Sequence, residues 1–126
     1  MVKKIIKKQE VEVLLDEIIN GMQEVKAHDI VVMDLRKVPN AMADYFLVCH
    51  GTSTTQVEAI SRSVERETAK SLGVKPFHVE GERNAQWVLM DYFDIIVHIF
   101  NDKMRDHYAI EELWADAAFQ RIENRA

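Results

Sequence analysis

"VCHGTSTTQVEAI", residues 48–60, runs from an apolar stretch through one glycine and four hydroxyl residues into apolar positions at helical spacing. A strand, a tight turn and a helix start read this way, which makes the centre of the chain α/β. The turn admits two readings. Ser53, Thr54, Thr55 and Gln56 spell S-x-x-Q directly ahead of the periodic residues. In a capping box the serine oxygen accepts from the backbone N–H three residues on, and the glutamine reaches back. A phosphate loop instead shows several glycines or a G-K-[ST] signature, whereas Gly51 stands alone with no lysine after it. A nucleotidyltransferase also needs two carboxylates at alternate positions of a nearby strand, because side chains at i and i+2 share a face and grip one Mg²⁺. Between Thr54 and Val64 the one acid is Glu58, inside the helix, and Asp91 and Asp94 are three apart, on opposite faces of a continuous strand. The loop reads as a helix cap.

Outward from that turn, Val57, Ile60, Val64 and Leu72 mark the buried stripe of the helix, and Gly73 suits its C′ position. Upstream, "YFLVCH" (45–50) is a strand, "KVPNAMAD" (37–44) a turn and "DIVVMDL" (29–35) a strand. Before these, Val11, Leu14, Leu15, Ile18, Ile19 and Met22 predict a helix from residue 9 with Glu10, Glu12, Asp16 and Glu17 outward. Downstream come a short extended "FHVEG" (77–81), a turn at "ERNA" and two strands, "QWVLMDY" (86–92) and "DIIVHIF" (94–100). "RDHYAIEELWADAAFQRI" (105–122) predicts a final helix, with Tyr108, Leu113 and Trp114 as its apolar anchors. The order α-β-β-α-β-β-β-α, without repeat or linker, predicts one α/β domain with a mixed sheet flanked by helices.

At 126 residues and 48% hydrophobic content the chain suffices for one core. Cys49 is the only cysteine, so no intramolecular disulfide forms and a reducing cytoplasm is expected. No apolar run approaches the roughly 20 residues of a membrane span. "MVKKIIKK" has the lysines of a signal peptide's first region but only Ile5 and Ile6 where the long apolar stretch belongs, so residues 1–8 read as a solvated basic leader. The domain then spans 9–116, and 117–126 form the helix end and tail. Net charge is −5, yet four of the sixteen basic residues lie in the leader, and the rest of the chain holds twelve basic and twenty-one acidic residues, a balance of −9. Such a body is a poor binder of bare nucleic acid and better suited to a basic protein.

Five histidines do not make a metal site, since no two fall at ligand spacing with a cysteine or acid in register. Cys49 reads as packing rather than nucleophile, and His98 within "IIVHIF" as a core histidine satisfied by a neighbour. No catalytic residue, metal or cofactor is assigned. Alternation in "QWVLMDY" sends Trp87, Leu89 and Asp91 to one side and Val88 and Met90 to the other. Either the strand is buried on both faces, or the Trp87 side is an interface with an aromatic centre and a charged rim. The acids Asp106, Glu111, Glu112 and Asp116 read as a solvated helix face or as an acidic rim for a basic partner.

"CHGTSTTQV", "HVEGERNAQWVLMDYFDIIVHIF" and "RDHYAIEELW" stand in the order and spacing of the ribosomal silencing factor, or Iojap-like, family, which the chain resembles over residues 9–116. One departure is Phe93, where the family carries a small residue, often glycine, in the D-x-x-D turn. The resemblance implies a fold related to nucleotidyltransferases without their catalytic carboxylates, and a protein that is not an enzyme. It implies binding to the large ribosomal subunit through its fourteenth protein, blocking the small subunit and repressing translation when nutrients are scarce. It places the contacts on Trp87, Leu89 and Asp91, with Glu80 and Asn84 of the preceding turn. Two alternatives stand beside it: a nucleotide-binding protein using the Gly51–Ser53 loop, and a homodimeric assembly module.

Overall fold

The run Ile95–Phe100 is buried at every position, which a strand achieves only where both faces of its sheet are covered. The computed structural model describes residues 2–108 and 117–123, with side chains for 10–106 and 117–123. The element order is α1 (Val2–Glu24), β1 (His28–Asp34), β2 (Tyr45–Gly51), α2 (Thr54–Leu72), β3 (His78–Glu80), β4 (Trp87–Asp91), β5 (Ile95–Asn101), α3 (Asp102–Tyr108) and β6 (Ala118–Arg121). The strands form one six-stranded sheet in the order β3-β4-β5-β2-β1-β6. β2 and β5 are parallel, and every other pairing is antiparallel. The expected mixed α/β sheet with flanking helices is present.

One face of the sheet carries the larger core. α1 buries Leu14, Ile18 and Met22 at four-residue spacing, and α2 buries Val57, Ile60 and Val64. These meet Val32, Leu47, Val88, Met90, Val97 and Ile99 from the strands. The helices cross at Gly21, where a Cβ would stand 2.8 Å from the Val64 Cα. Ser63 takes advantage of that approach by donating its hydroxyl to the Gly21 carbonyl at 2.7 Å. The opposite face holds a smaller cluster of Val31, Met33, Leu35, Phe46, Val48, Ile96 and Phe100, onto which Trp87, Leu89 and Met104 pack partly buried.

Two expectations need correction. The first helix does not begin at residue 9: its backbone is helical from Val2, so residues 2–8 continue α1. The final helix does not run through residue 122, because α3 spans Asp102–Tyr108 and Ala118–Arg121 is a strand. That strand pairs antiparallel with β1, and Ile122 N–H donates to the Ile30 carbonyl at 2.8 Å. All four β6 residues are exposed. Backbone hydrogen bonds to an otherwise open sheet edge, not side-chain burial, determine its conformation. Leu113 and Trp114 lie outside the described residues, as do the acids Glu111, Glu112 and Asp116.

Candidate functional site: the outer face of β4

The hairpin joining β4 to β5 sets this site. A turn centred between Phe93 and Asp94 pairs Asp91 with Ile96, Leu89 with His98 and Trp87 with Phe100. Val88 and Met90 point into the helix-covered core and are fully buried, whereas Trp87, Leu89 and Asp91 alternate to the opposite face and stay half-exposed. β4 is therefore not buried on both faces; one set of its side chains forms a surface row. β3 extends that row, because its register sets Glu80 opposite Leu89 and His78 opposite Asp91. Glu80 and His78 are themselves joined at 2.8 Å between Oε1 and Nε2. Asn84 is not on the row; it lies exposed in the turn between β3 and β4. Gly81 opens that turn at a φ of 86°, and a Cβ there would collide with the Trp87 carbonyl. Glycine lets the turn fold against the start of the strand.

Trp87 is held in one orientation from beneath. Its indole stacks on Phe100 at 5.1 Å between centroids and an interplanar angle of 23°. Its Nε1–H donates to His98 Nδ1 at 3.1 Å. His98 is 3% exposed and also meets the edge of Phe46, 4.6 Å between centroids. Burial pushes its pKa down to about 4, so the ring is neutral at pH 7 and Nδ1 is free to accept. That bond assigns the proton to Nε2, which has no partner among the described residues. The expected core histidine is thus half satisfied, and its neighbour is the tryptophan of the row. Eleven positions apart and on different strands, these two residues are not joined by any local sequence pattern. The signal that joins them is the hairpin register, which becomes legible only once the turn is centred.

Asp91 ends the row. Its Oδ1 accepts the Phe93 N–H at 2.8 Å, and no described lysine or arginine pairs with it. The row therefore presents an aromatic plane, a leucine and a carboxylate, with Glu80 beside them. Flat apolar surface with a charged rim is the chemistry of a protein interface.

The Ser53 loop is committed elsewhere. Ser53 Oγ accepts from Gln56 N–H at 3.1 Å, the first half of a capping box. The glutamine reaches back to the N–H of Thr52 rather than of Ser53, at 2.8 Å, and its Nε2 donates to the Lys26 carbonyl at 3.1 Å. The cap thus ties the start of α2 to the end of α1, and two N–H groups that a phosphate would need are already used. Cys49 is fully buried and its thiol is pushed up to about 12, so no thiolate forms near neutral pH. Asp91 and Asp94 do not alternate along one strand, since a turn falls between them.

A family profile described as "Ribosomal silencing factor during starvation" matches residues 8–126. The chain belongs to the ribosomal silencing factor family. "Ribosomal silencing factor RsfS" of Halalkalibacterium halodurans is 36% identical over 110 residues, covering 87% of this chain and 92% of that protein. The protein of the same name from Bacillus subtilis is 41% identical over 92 residues, covering 73% and 76%. A crystal structure of a Chromobacterium violaceum protein superposes with a TM-score of 0.77 at 32% identity, over 82% of this chain and 85% of that one. The ribosomal silencing factor match therefore covers β4, its hairpin and the Ser53 cap together.

Proposed function

We propose that this protein binds the large ribosomal subunit through its fourteenth protein and keeps the small subunit from joining by occupying its place, which represses translation. The observation that carries this reading is the half-exposed Trp87–Leu89–Asp91 row, fixed from below by His98 and Phe100 in a member of the silencing factor family. Trp87 and Leu89 supply the apolar anchor, Asp91 pairs with a basic residue of the partner, and Glu80 and Asn84 lie at the rim. Because the indole N–H is spent on His98, Trp87 brings apolar surface to a contact and not that hydrogen-bond donor. Steric exclusion needs no reaction, so the protein acts without catalytic group or cofactor. The acidic balance of the chain suits a basic protein target and disfavours direct contact with rRNA. No helix among the described residues is long and apolar enough to cross a membrane, and a single buried thiol suits a cytoplasmic setting.

Sedimentation with separated ribosomal subunits tests this directly. Wild-type protein co-migrates with the large subunit alone. Trp87→Ala, shown first to be folded, loses about 2 kcal/mol or more of binding, roughly thirtyfold. Ser53→Ala gives up a helix cap, about 1 kcal/mol of stability, and still binds. Failure of the wild-type chain to co-migrate at low and moderate salt removes the proposal. Binding by Trp87→Ala at full strength moves the site away from β4.

A further inference from the structure

Phe93 and Phe77 are the two most exposed aromatic side chains among the described residues, at 63% and 68%, and they lie against each other with centroids 4.5 Å apart and planes at 40°. Neither ring is buried by the contact, so packing does not account for a phenylalanine at either position. Backbone geometry makes position 93 more demanding still. Phe93 has a φ of 73°, and Asp94 N–H donates across it to the Tyr92 carbonyl at 3.0 Å, the rare and strained γ-turn with positive φ at its centre. Bulky residues adopt that region only at a cost that glycine avoids. Asp91 stabilises the turn by accepting the Phe93 N–H, and below it the buried Tyr92 hydroxyl is bonded to Thr68 of α2 at 2.9 Å. A strained, anchored turn thus holds an aromatic ring out in solvent, between Asp91 and Asp94 in sequence.

From this we infer that Phe77 and Phe93, with the Asp91 carboxylate bonded to the Phe93 N–H and Asp94 next in the chain, form an aromatic–acidic patch that takes an arginine or lysine side chain of the large-subunit protein. The inference rests on the function proposed above and extends its contact surface past the end of β4. Charge complementarity selects the occupant. No described lysine or arginine pairs with the Asp91 or Asp94 carboxylate, and exposed rings on a turn held by an acid attract a cation through both charge and the ring quadrupole. The chain uses this combination internally: Arg36 binds Asp34 through two nitrogens, at 3.0 and 2.7 Å, while its Cζ lies 5.2 Å over the Tyr45 ring. The patch around Phe93 has the aromatic and acidic parts of that set and, among the described residues, lacks the cation.

The test is the affinity of the full chain for purified large subunits, by sedimentation titration, together with thermal unfolding. Phe93→Gly removes the ring and relieves the turn, so the fold is kept at an equal or higher Tm while affinity falls about tenfold, the size of one well-placed side-chain contact. Phe93→Leu keeps apolar bulk without a ring face and weakens binding similarly, whereas Phe93→Tyr retains it. Phe77→Ser weakens binding without altering the hairpin. Wild-type affinity in both Phe93→Gly and Phe93→Leu overturns the inference and leaves the Trp87 reading standing. Wild-type affinity in Phe93→Leu alone makes the contact hydrophobic and rejects the cation. A free-protein dimer that Phe93→Gly abolishes, with subunit binding intact, gives the rings to a second copy and likewise overturns it. Absence of subunit binding by the wild-type chain rejects the proposed function and this patch with it.

Discussion

His98 shows how one buried group connects stability to the surface. Its ring accepts the Trp87 indole N–H only while Nδ1 is unprotonated, and burial holds its folded pKa near 4 against an ordinary value of 6.5. The folded state therefore binds fewer protons than the unfolded chain between those values. This contribution is fully present above pH 6.5 and is lost as pH falls towards 4, about 3 kcal/mol across the window. Urea denaturation at pH 7.5 and pH 5 should show the wild-type chain weakening on acidification. His98→Asn, which keeps an acceptor for Trp87 and does not titrate, should show a flatter dependence. Equal pH slopes in the two proteins would mean His98 is not the sensitive group. That Trp87 shares a side with Leu89 and Asp91 was legible from alternation; its role as an interface anchor was implied only by the family resemblance. The dependence of Trp87 on His98 was not legible, since eleven residues separate them and the hairpin register brings them together.

Elements in this protein are specified unequally by their own residues. α2 carries its start and stop in its sequence: Ser53 caps one end, and Gly73 at a φ of 65° closes the other with its N–H on the Ala69 carbonyl. α1 and α2 are also fitted to each other at Gly21. An alanine there gains helix propensity of about 1 kcal/mol, but its methyl would press on the Val64 backbone, which cannot move as a side-chain tip would. Overpacking of that kind costs typically 1–3 kcal/mol. Gly21→Ala is therefore expected to lower the unfolding midpoint, and a raised midpoint would show that the helices separate freely. β6 is the opposite case. Its residues fit the helical spacing of the segment before it, and the strand state comes from the backbone partners that β1 offers across more than 80 positions of sequence.

At the scale of the molecule, the proposed function divides the work of binding between charge and shape. An acidic chain approaching a basic ribosomal protein is steered electrostatically, so its association should weaken as salt rises from 50 to 300 mM. Asp91→Asn removes one charge from the proposed contact and should flatten that salt dependence, whereas Trp87→Ala should lower affinity by a similar factor at every salt concentration. Parallel salt slopes for wild type and Asp91→Asn would remove Asp91 from the charged contact. The sheet supports this division because its two faces are different. One is sealed by α1 and α2, and the other leaves the β3–β4 corner partly open.

The amino-acid sequence by itself determined the α/β class, the cap at Ser53, the span of α2 and the alternation of β4, because each depends on neighbours within a few positions and on periodicity that side-chain chemistry imposes. It also determined the family, through three motifs in register. Only the tertiary structure decided that the sides of β4 differ in burial, that Trp87 rests on His98 and Phe100, that residues 118–121 join the sheet, and that Phe77 meets Phe93. Those outcomes depend on which strands become neighbours and in what register. That choice is settled by burying one common core, a property of the whole chain that no local window contains.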